Sequence, residues 1–293
     1  MMDVGADQVA LARAARRRRW ARWAKVAALY ALLTVGAVFI LYPVVWTVSL
    51  SVKSLTQMNE WPPRLWDWPL HLENFALAWT AAPFTRYFLN SLLVSCLAVL
   101  ATTVSSFAVA YGFARFRAPG RDILFILVLA TMMIPPQVTM IPHFMLFRYL
   151  HWINTYYPLF IPGFFATSGF NVFLLRQFLL GLPRELDEAA SIDGATSWQI
   201  LTRILLPLAA PALVTVALMS FIWNWTNFMG PLIYLNSPST WTLPLGLMFF
   251  NQQFVPTANL MVAVSLMVTA PLVVLFFVGQ RVFVSGIRLT GIQ

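Results

Sequence analysis

Six long apolar runs separated by short polar connections organise this chain, at approximately Ala24–Leu50, Tyr87–Phe113, Ile123–Phe144, Thr155–Leu180, Leu208–Leu235 and Leu260–Val284. About 20 mostly apolar residues suffice to cross a bilayer as a helix. The pattern therefore predicts an all-α integral membrane protein with six transmembrane helices over 24–287, preceded by a basic segment 1–23 and followed by a tail 288–293. The third run ends among Pro135, Pro136 and Pro142. Proline leaves backbone carbonyls unpaired, which lipid does not tolerate, so that end is expected to face protein or water. The first run greatly exceeds the roughly 7–15 residues of a signal-peptide core and lacks a small-residue cleavage site, so it reads as a span.

Composition agrees. Of 293 residues, 60% are hydrophobic and only 10% charged, against about 25% charged in soluble domains. The net charge of +9 sits in short blocks beside the apolar runs, which argues for membrane orientation and against nucleic acid. Fifteen lysines and arginines fall before span one, between spans two and three, between four and five, and in the tail, whereas four (Lys53, Arg64, Arg86 and Arg148) fall on the other side. Both termini are thus predicted to be cytoplasmic. The outer segment Glu60–Pro83, with Trp61, Trp66, Trp68 and Trp79, reads as interfacial. The last outer connection, 236–259, has no charge; its Asn251, Gln252 and Gln253 beside Phe249, Phe250 and Trp241 suit either a neutral polar ligand or a packing partner. The single Cys96 forms no internal disulfide and is expected to be a packed, inert thiol.

Several mechanisms are excluded by what the spans lack. Ion-coupled transporters carry protons or ions on intramembrane Asp, Glu, His or Lys, each costing about 2.5–3.5 kcal/mol at a helix centre. None lies centrally here. An ion-coupled secondary transporter is the principal alternative of another class, and this emptiness weighs against it; a non-transporting scaffold or receptor is a second. His71, His143 and His151 are too scattered for a metal set. Neither lysine sits in a phosphate-binding G-x-x-x-x-G-K-[ST] loop, and no G-x-S-x-G elbow or paired carboxylate suggests an enzyme.

The most polar internal stretch is "ELDEAASIDGATSWQILTRILLP", residues 185–207, with four of the ten acids. Pro183 suits a first helical position, and Glu185, Asp187 and Glu188 place negative charge where the helix dipole favours it. Ala189 and Ala190 continue a helix with almost no bulk. Gly194 supplies a turn, and Thr196 with Gln199 matches a capping box for a second helix that enters the membrane at Pro207. A helix with a small-residue face can sit deeply in another protein's groove, although an ordinary surface helix has the same composition.

The spacing Glu188-Ala189-Ala190, three residues, Gly194, nine residues, Ile204-Leu205-Leu206-Pro207 resembles the E-A-A-x3-G-x9-I-x-L-P signature of membrane permeases of binding-protein-dependent ABC importers. "ATMMIPPQVTMIP" from Ala130, "LLRQFLLGLPRELDEAASIDGA" from Leu174, "WNWTNFMGPLIYL" from Trp223, "TLPLGL" from Thr242 and "QRVFVSGI" from Gln280 are similar to its carbohydrate branch, of the maltose-transporter type. The tail "RLTGIQ" departs from the branch's usual Gly-Ala-Val-Lys-Gly-like ending.

The resemblance implies a type I ABC importer permease fold and a bacterial or archaeal plasma-membrane location. Residues 181–207 would form a coupling loop whose Glu188 helix seats in a separate ATPase, with Glu185, Glu188, Ala189, Ala190, Asp193, Gly194 and Pro207 as coupling residues. Implied partners are a second homologous permease, two ATPase subunits and an extracytoplasmic solute-binding protein, with ATP and magnesium on the ATPase and no cofactor on this chain. The spans offer Asn, Gln, Trp and Phe rather than arginines, so the expected cargo is a neutral sugar or oligosaccharide, with Trp223, Asn224, Trp225 and Asn227 as pathway candidates. An importer of glycerol phosphate or another small solute is the alternative within the family.

Overall fold

A computed structural model describes the backbone of residues 4–251 and 257–290, and the side chains of residue 20, 22–250 and 257–279. The expectations for Asn251, Gln252 and Gln253, for the arginines up to Arg19 and for the tail side chains lie outside those side chains. The described residues are helical with no strand. The main elements are α1 (Val4–Ser51), α2 (Glu73–Thr80), α3 (Phe84–Arg115), α4 (Arg121–Thr131), α5 (Pro136–Tyr149), α6 (Gly169–Leu180), α7 (Glu185–Ile192), α8 (Ala210–Trp225) and α9 (Ala258–Thr290).

Four segments are long and apolar enough to cross a membrane, and six if each of two bent pairs counts as one span. The first bent pair is α4 with α5, at 97°. Pro135 and Pro136 prevent the helix from continuing, and the N–H groups of Met132, Met133 and Ile134 turn back onto Leu129, Ala130 and Thr131. The second joins Ser197–Leu208 to α8 at 79°. Pro207 and Pro211 flank this bend, so the helix after the Gly194 turn does not run straight into the membrane at Pro207 but changes direction there. The fifth run is also shorter than 208–235: α8 stops at Trp225, and a separate turn of helix covers Met229–Tyr234. The fourth run is interrupted as well, with a 3-10 segment at Ile161–Phe165 and Ala166 at φ 51° before Ser168 Oγ accepts from the Asn171 amide to start α6.

Helix α3 is the central post. Its buried face carries the small residues Ser91, Ser95, Ala98, Ala101, Ser106, Ala110 and Ala114, recurring every three to five positions, among the larger Tyr87, Val94, Phe107 and Tyr111. This lets neighbouring backbones approach closely, as membrane helix interfaces require. Opposite this stripe Cys96 is exposed beside Leu92, Leu93 and Leu100, so it is not the packed thiol the sequence suggested. One core, with Phe107, Ala110, Ala114, Leu175, Leu179, Ala190, Leu205 and Val216, joins α3, α6, α7 and α8 at the end carrying residues 181–207. A second, with Phe84, Tyr87, Trp225, Leu243, Phe250 and Val264, closes the other end. Helix α1 leaves Leu29, Leu32, Val35, Phe39 and Ile40 largely exposed, the all-round apolar character of a lipid-facing span.

The Trp-rich segment 60–83 is tied down by polar contacts. Trp61, Trp66 and Trp68 are exposed as an interfacial belt predicts, but Trp79 packs on Phe84 and Phe88 and donates to Thr85 Oγ1 at 2.9 Å. Lys53 lies within 2.7 Å of Asp67 Oδ2, both side chains almost fully buried. Asn74 donates to Ser51 O at 3.0 Å and Lys53 O at 2.9 Å, and accepts from Asn259 at 3.2 Å, which knots α1, α2 and α9 together.

Candidate functional site

Helix α7 opens with Glu185, Asp187 and Glu188 in its first turn. It begins two residues after Pro183, which stands outside the helix rather than at its first position. The C-terminus is closed by a Schellman motif: the Ala195 amide donates to Ala190 O at 2.9 Å and the Gly194 amide to Ser191 O at 3.1 Å. The first of these bonds requires the left-handed backbone that Gly194 adopts at φ 81°. The predicted capping box follows, with the Gln199 amide donating to Thr196 Oγ1 at 3.3 Å and the Thr196 amide to Gln199 Oε1 at 2.7 Å. Glycine and threonine thus impose a hard reversal between two short helices.

The candidate coupling residues divide by what they touch. Glu185, Glu188, Ala189, Asp193 and Gly194 are exposed. Ala190 points inward and belongs to the buried core with Ala114, Ile200 and Leu201, so it anchors α7 to the body rather than presenting itself outward. Pro207 is exposed at the 79° bend. Asp187, which the sequence marked only as an acid favouring the helix start, reaches Arg115 at the end of α3. Oδ2 and Nε are 2.8 Å apart with Arg115 only 7% exposed, a charge contact without the alignment of a full hydrogen bond. Arg115 also donates to Leu182 O at 3.2 Å, Arg184 to Ala114 O at 3.4 Å, and Tyr111 to Ser197 O at 3.3 Å. These contacts tie the reversal to α3.

Burial pushes the Asp187 carboxyl above its ordinary range, outweighing the nearby Arg115 and Arg184 charges. The ionised form is therefore the costly one. Asp187→Asn, which keeps the shape and removes the charge, is expected to melt close to the parent. Asp187→Ala, which removes every side-chain oxygen facing the buried guanidinium, should cost about 1–3 kcal/mol. Thermal denaturation of the purified protein separates the two, and equal melting of both variants would sink this account of the tie.

Two large apolar side chains flank the turn and were missed from sequence: Ile192 is 86% exposed and Trp198 70% exposed. Both lie in the polar connection, outside any apolar run. A tryptophan directly behind a capping residue in such a loop was the available signal.

A second feature is a cavity of about 600 Å³ bordered by α3, α6, α8, the break between α4 and α5, and the irregular stretch before α6. Thr102, Thr131, Ser168, Asn171, Ser220, Trp223 and Asn224 supply polar edges, while Met132, Phe160, Phe170 and Met219 supply apolar walls. Among the described residues, no charged side chain lines it. Asn171 donates to Ser220 Oγ at 3.3 Å and Asn224 to Ser220 O at 2.8 Å. The irregular backbone of 131–136 and 162–168 borders this space, which is how non-helical chain survives at membrane depth and matches the expectation for the proline-rich end.

Of the four pathway candidates, Trp223 and Asn224 line the cavity. Trp225 does not: it is 1% exposed, stacks on Phe221 and donates to Val268 O at 3.0 Å. Two residues along a helix turn the side chain by about 200°, which sends Trp223 and Trp225 to opposite faces. Asn227 lies past the end of α8 and caps the following turn through Gly230 N–H at 3.0 Å. Asn171 and Ser220, buried polar residues within apolar runs, complete the cavity and were not legible as such.

Comparison with known proteins places this architecture. Residues 101–289 match the family model described as binding-protein-dependent transport system inner membrane component. An arabinooligosaccharide transport system permease protein of Halalkalibacterium halodurans is 35% identical over 269 residues, covering 89% of this chain and 96% of that protein. A trehalose/maltose transport system permease protein of Thermococcus litoralis is 33% identical, covering 87% and 94%. Among solved structures, a bacterial ABC transporter involved in import of the acidic polysaccharide alginate shares the fold, with a TM-score of 0.75 at 22% identity over 86% of this chain and 94% of its own. The chain belongs to the binding-protein-dependent transport system inner membrane component family, whose members are membrane-embedded permease subunits of ABC transporters.

Proposed function

We propose that this chain forms half of the translocation pathway for a neutral sugar or oligosaccharide, and that α7 receives the stroke of a separate ATPase on the cytoplasmic side. The observation that carries the coupling role is the pair Ile192 and Trp198, exposed on either side of a rigid turn that is itself bonded to α3. Exposed apolar anchors beside the acids Glu185 and Glu188 suit a cleft with an apolar floor and a basic rim. The neutral cargo is supported by the uncharged, aromatic- and amide-edged cavity and by relatives named for arabinooligosaccharides, trehalose/maltose and lactose. A phosphorylated cargo such as glycerol phosphate would call for arginines there.

In this reading a second homologous permease completes the pathway, two ATPase subunits hold ATP and magnesium, and an extracytoplasmic solute-binding protein docks on the opposite end. No residue of this chain has a catalytic role. Purifying the tagged chain in mild detergent should recover an ATPase subunit and a related permease; recovery of this chain alone would overturn the reading. Buried aromatic anchors at interfaces contribute about 2 kcal/mol or more, so Trp198→Ala is expected to weaken ATPase association roughly thirtyfold while Trp198→Phe retains most of it. Unchanged association in Trp198→Ala would remove Trp198 from the interface. Uptake by the reconstituted complex tests the cargo: transport of amino acids or charged amines with no sugar moved would reject it.

A further inference from the structure

Beside the N-terminus of α7 lies a second recess, of about 420 Å³, that the transport pathway does not use. It is walled by Arg117, Arg121 and Arg184, the Gly120 turn, Asp122 and Ile123. Three guanidinium groups face a single carboxylate, so the recess is electropositive. Two of the three are held in place: Arg121 is fixed by Asp122 Oδ1 at 2.8 Å and by donation to Phe116 O at 3.1 Å, and Arg184 by Ala114 O. Arg117 is exposed, and no described residue forms an ion pair with it.

The recess opens onto α4, a helix that buries only Phe125. Ile123, which borders the recess, and Leu124, Ile126 and Leu127 beyond it are each more than half exposed. An arginine cluster with two of its three members held in place, at the polar end of an apolar, outward-facing membrane helix, complements the two-part chemistry of an anionic phospholipid, with the phosphate among the guanidiniums and the acyl chains along α4. A free soluble anion would need only the first part, and the apolar stripe would go unused.

We infer that the recess formed by Arg117, Arg121 and Arg184 binds the headgroup of an anionic phospholipid whose chains lie on the exposed face of α4. The inference rests on the permease reading only in placing α4 against lipid. Because Arg184 immediately precedes α7 and also holds Ala114 on α3, the bound headgroup steadies the junction at which α7 meets the body.

The test is native mass spectrometry of the full chain, purified with whatever partners accompany it, and titrated with phosphatidylglycerol, phosphatidylcholine or inorganic phosphate. Phosphatidylglycerol should be retained in preference to phosphatidylcholine. Each arginine near an anionic headgroup contributes about a fivefold increase in affinity, so Arg117→Gln should cut retention by roughly that factor while Arg117→Lys and Arg22→Gln do not. Equal retention of both lipids, insensitivity to Arg117→Gln, or displacement by phosphate alone would overturn the inference. Loss of the lipid when an ATPase assembles would overturn it too, since the recess would then be part of the protein interface. Lipid retention by a chain recovered without an ATPase would reject only the coupling role; failed retention in an assembled complex would reject only the lipid site.

Discussion

Gly194→Val is expected to separate ATP hydrolysis from transport in the reconstituted complex, with far less solute moved per ATP than in the parent. The residue stands at φ 81°, and the bond from the Ala195 amide to Ala190 O that closes α7 depends on that conformation. An L-residue held there costs about 1–2 kcal/mol, and a β-branched side chain more, so the native reversal would lose roughly a 5–30-fold share of its population. No atom lies within 4 Å of where a Cβ would project, so the penalty is one of backbone conformation and not of collision. That distinction gives the prediction its control. Asparagine enters the left-handed region more readily than other residues, so Gly194→Asn should retain most of the uptake and Gly194→Ala should fall between the two. Normal uptake by an assembled Gly194→Val complex would show that the turn does not transmit the stroke.

This site was the part of the chain that the sequence described best, for a physical reason. Gly194, Thr196 and Gln199 act through their own backbone or through neighbours three residues away, so spacing alone carries their role. Spans two and six were legible for a similar reason, because lipid imposes long uninterrupted apolar runs. What failed was anything decided by the face of a helix or by a distant partner. Trp223 and Trp225 are identical in type and two positions apart, yet one lines the cavity and the other is core. The bends at Pro135 and Pro207 were visible as prolines but not as angles of 97° and 79°, since the direction after a break is set by what the next segment packs on. Asp187 looked like one more acid favouring a helix start. Its partner, 72 residues earlier, makes it the tie between α7 and α3.

Asp67→Ala carries the largest stability penalty expected in the chain. From sequence, Lys53 was simply one of four basic residues on the outer side; in the fold it is 2% exposed and faces the equally buried Asp67. Lys53 also donates to Arg64 O and lies 5.7 Å from the Trp46 ring, so its ammonium is held among groups that only partly replace water. The 2.7 Å contact with Asp67 is Coulombic more than directional, because Asp67 Oδ2 lacks a well-aligned donor. Taking the carboxylate away leaves a buried charge without its counter-ion, which costs about 3–5 kcal/mol. Burying the pair is itself expensive, and a well-packed apolar replacement of both residues is often neutral or stabilising. Lys53→Met combined with Asp67→Leu should therefore melt well above Asp67→Ala alone, and close to the parent if the new side chains fill the space. Thermal denaturation of the detergent-solubilised protein reads both. If the double variant melted no higher than Asp67→Ala, the penalty would lie in lost hydrogen bonds and shape rather than in a stranded charge. The pair would then be holding the Trp-rich segment against α1 by its geometry, through the same backbone that Asn74 and Asn259 secure.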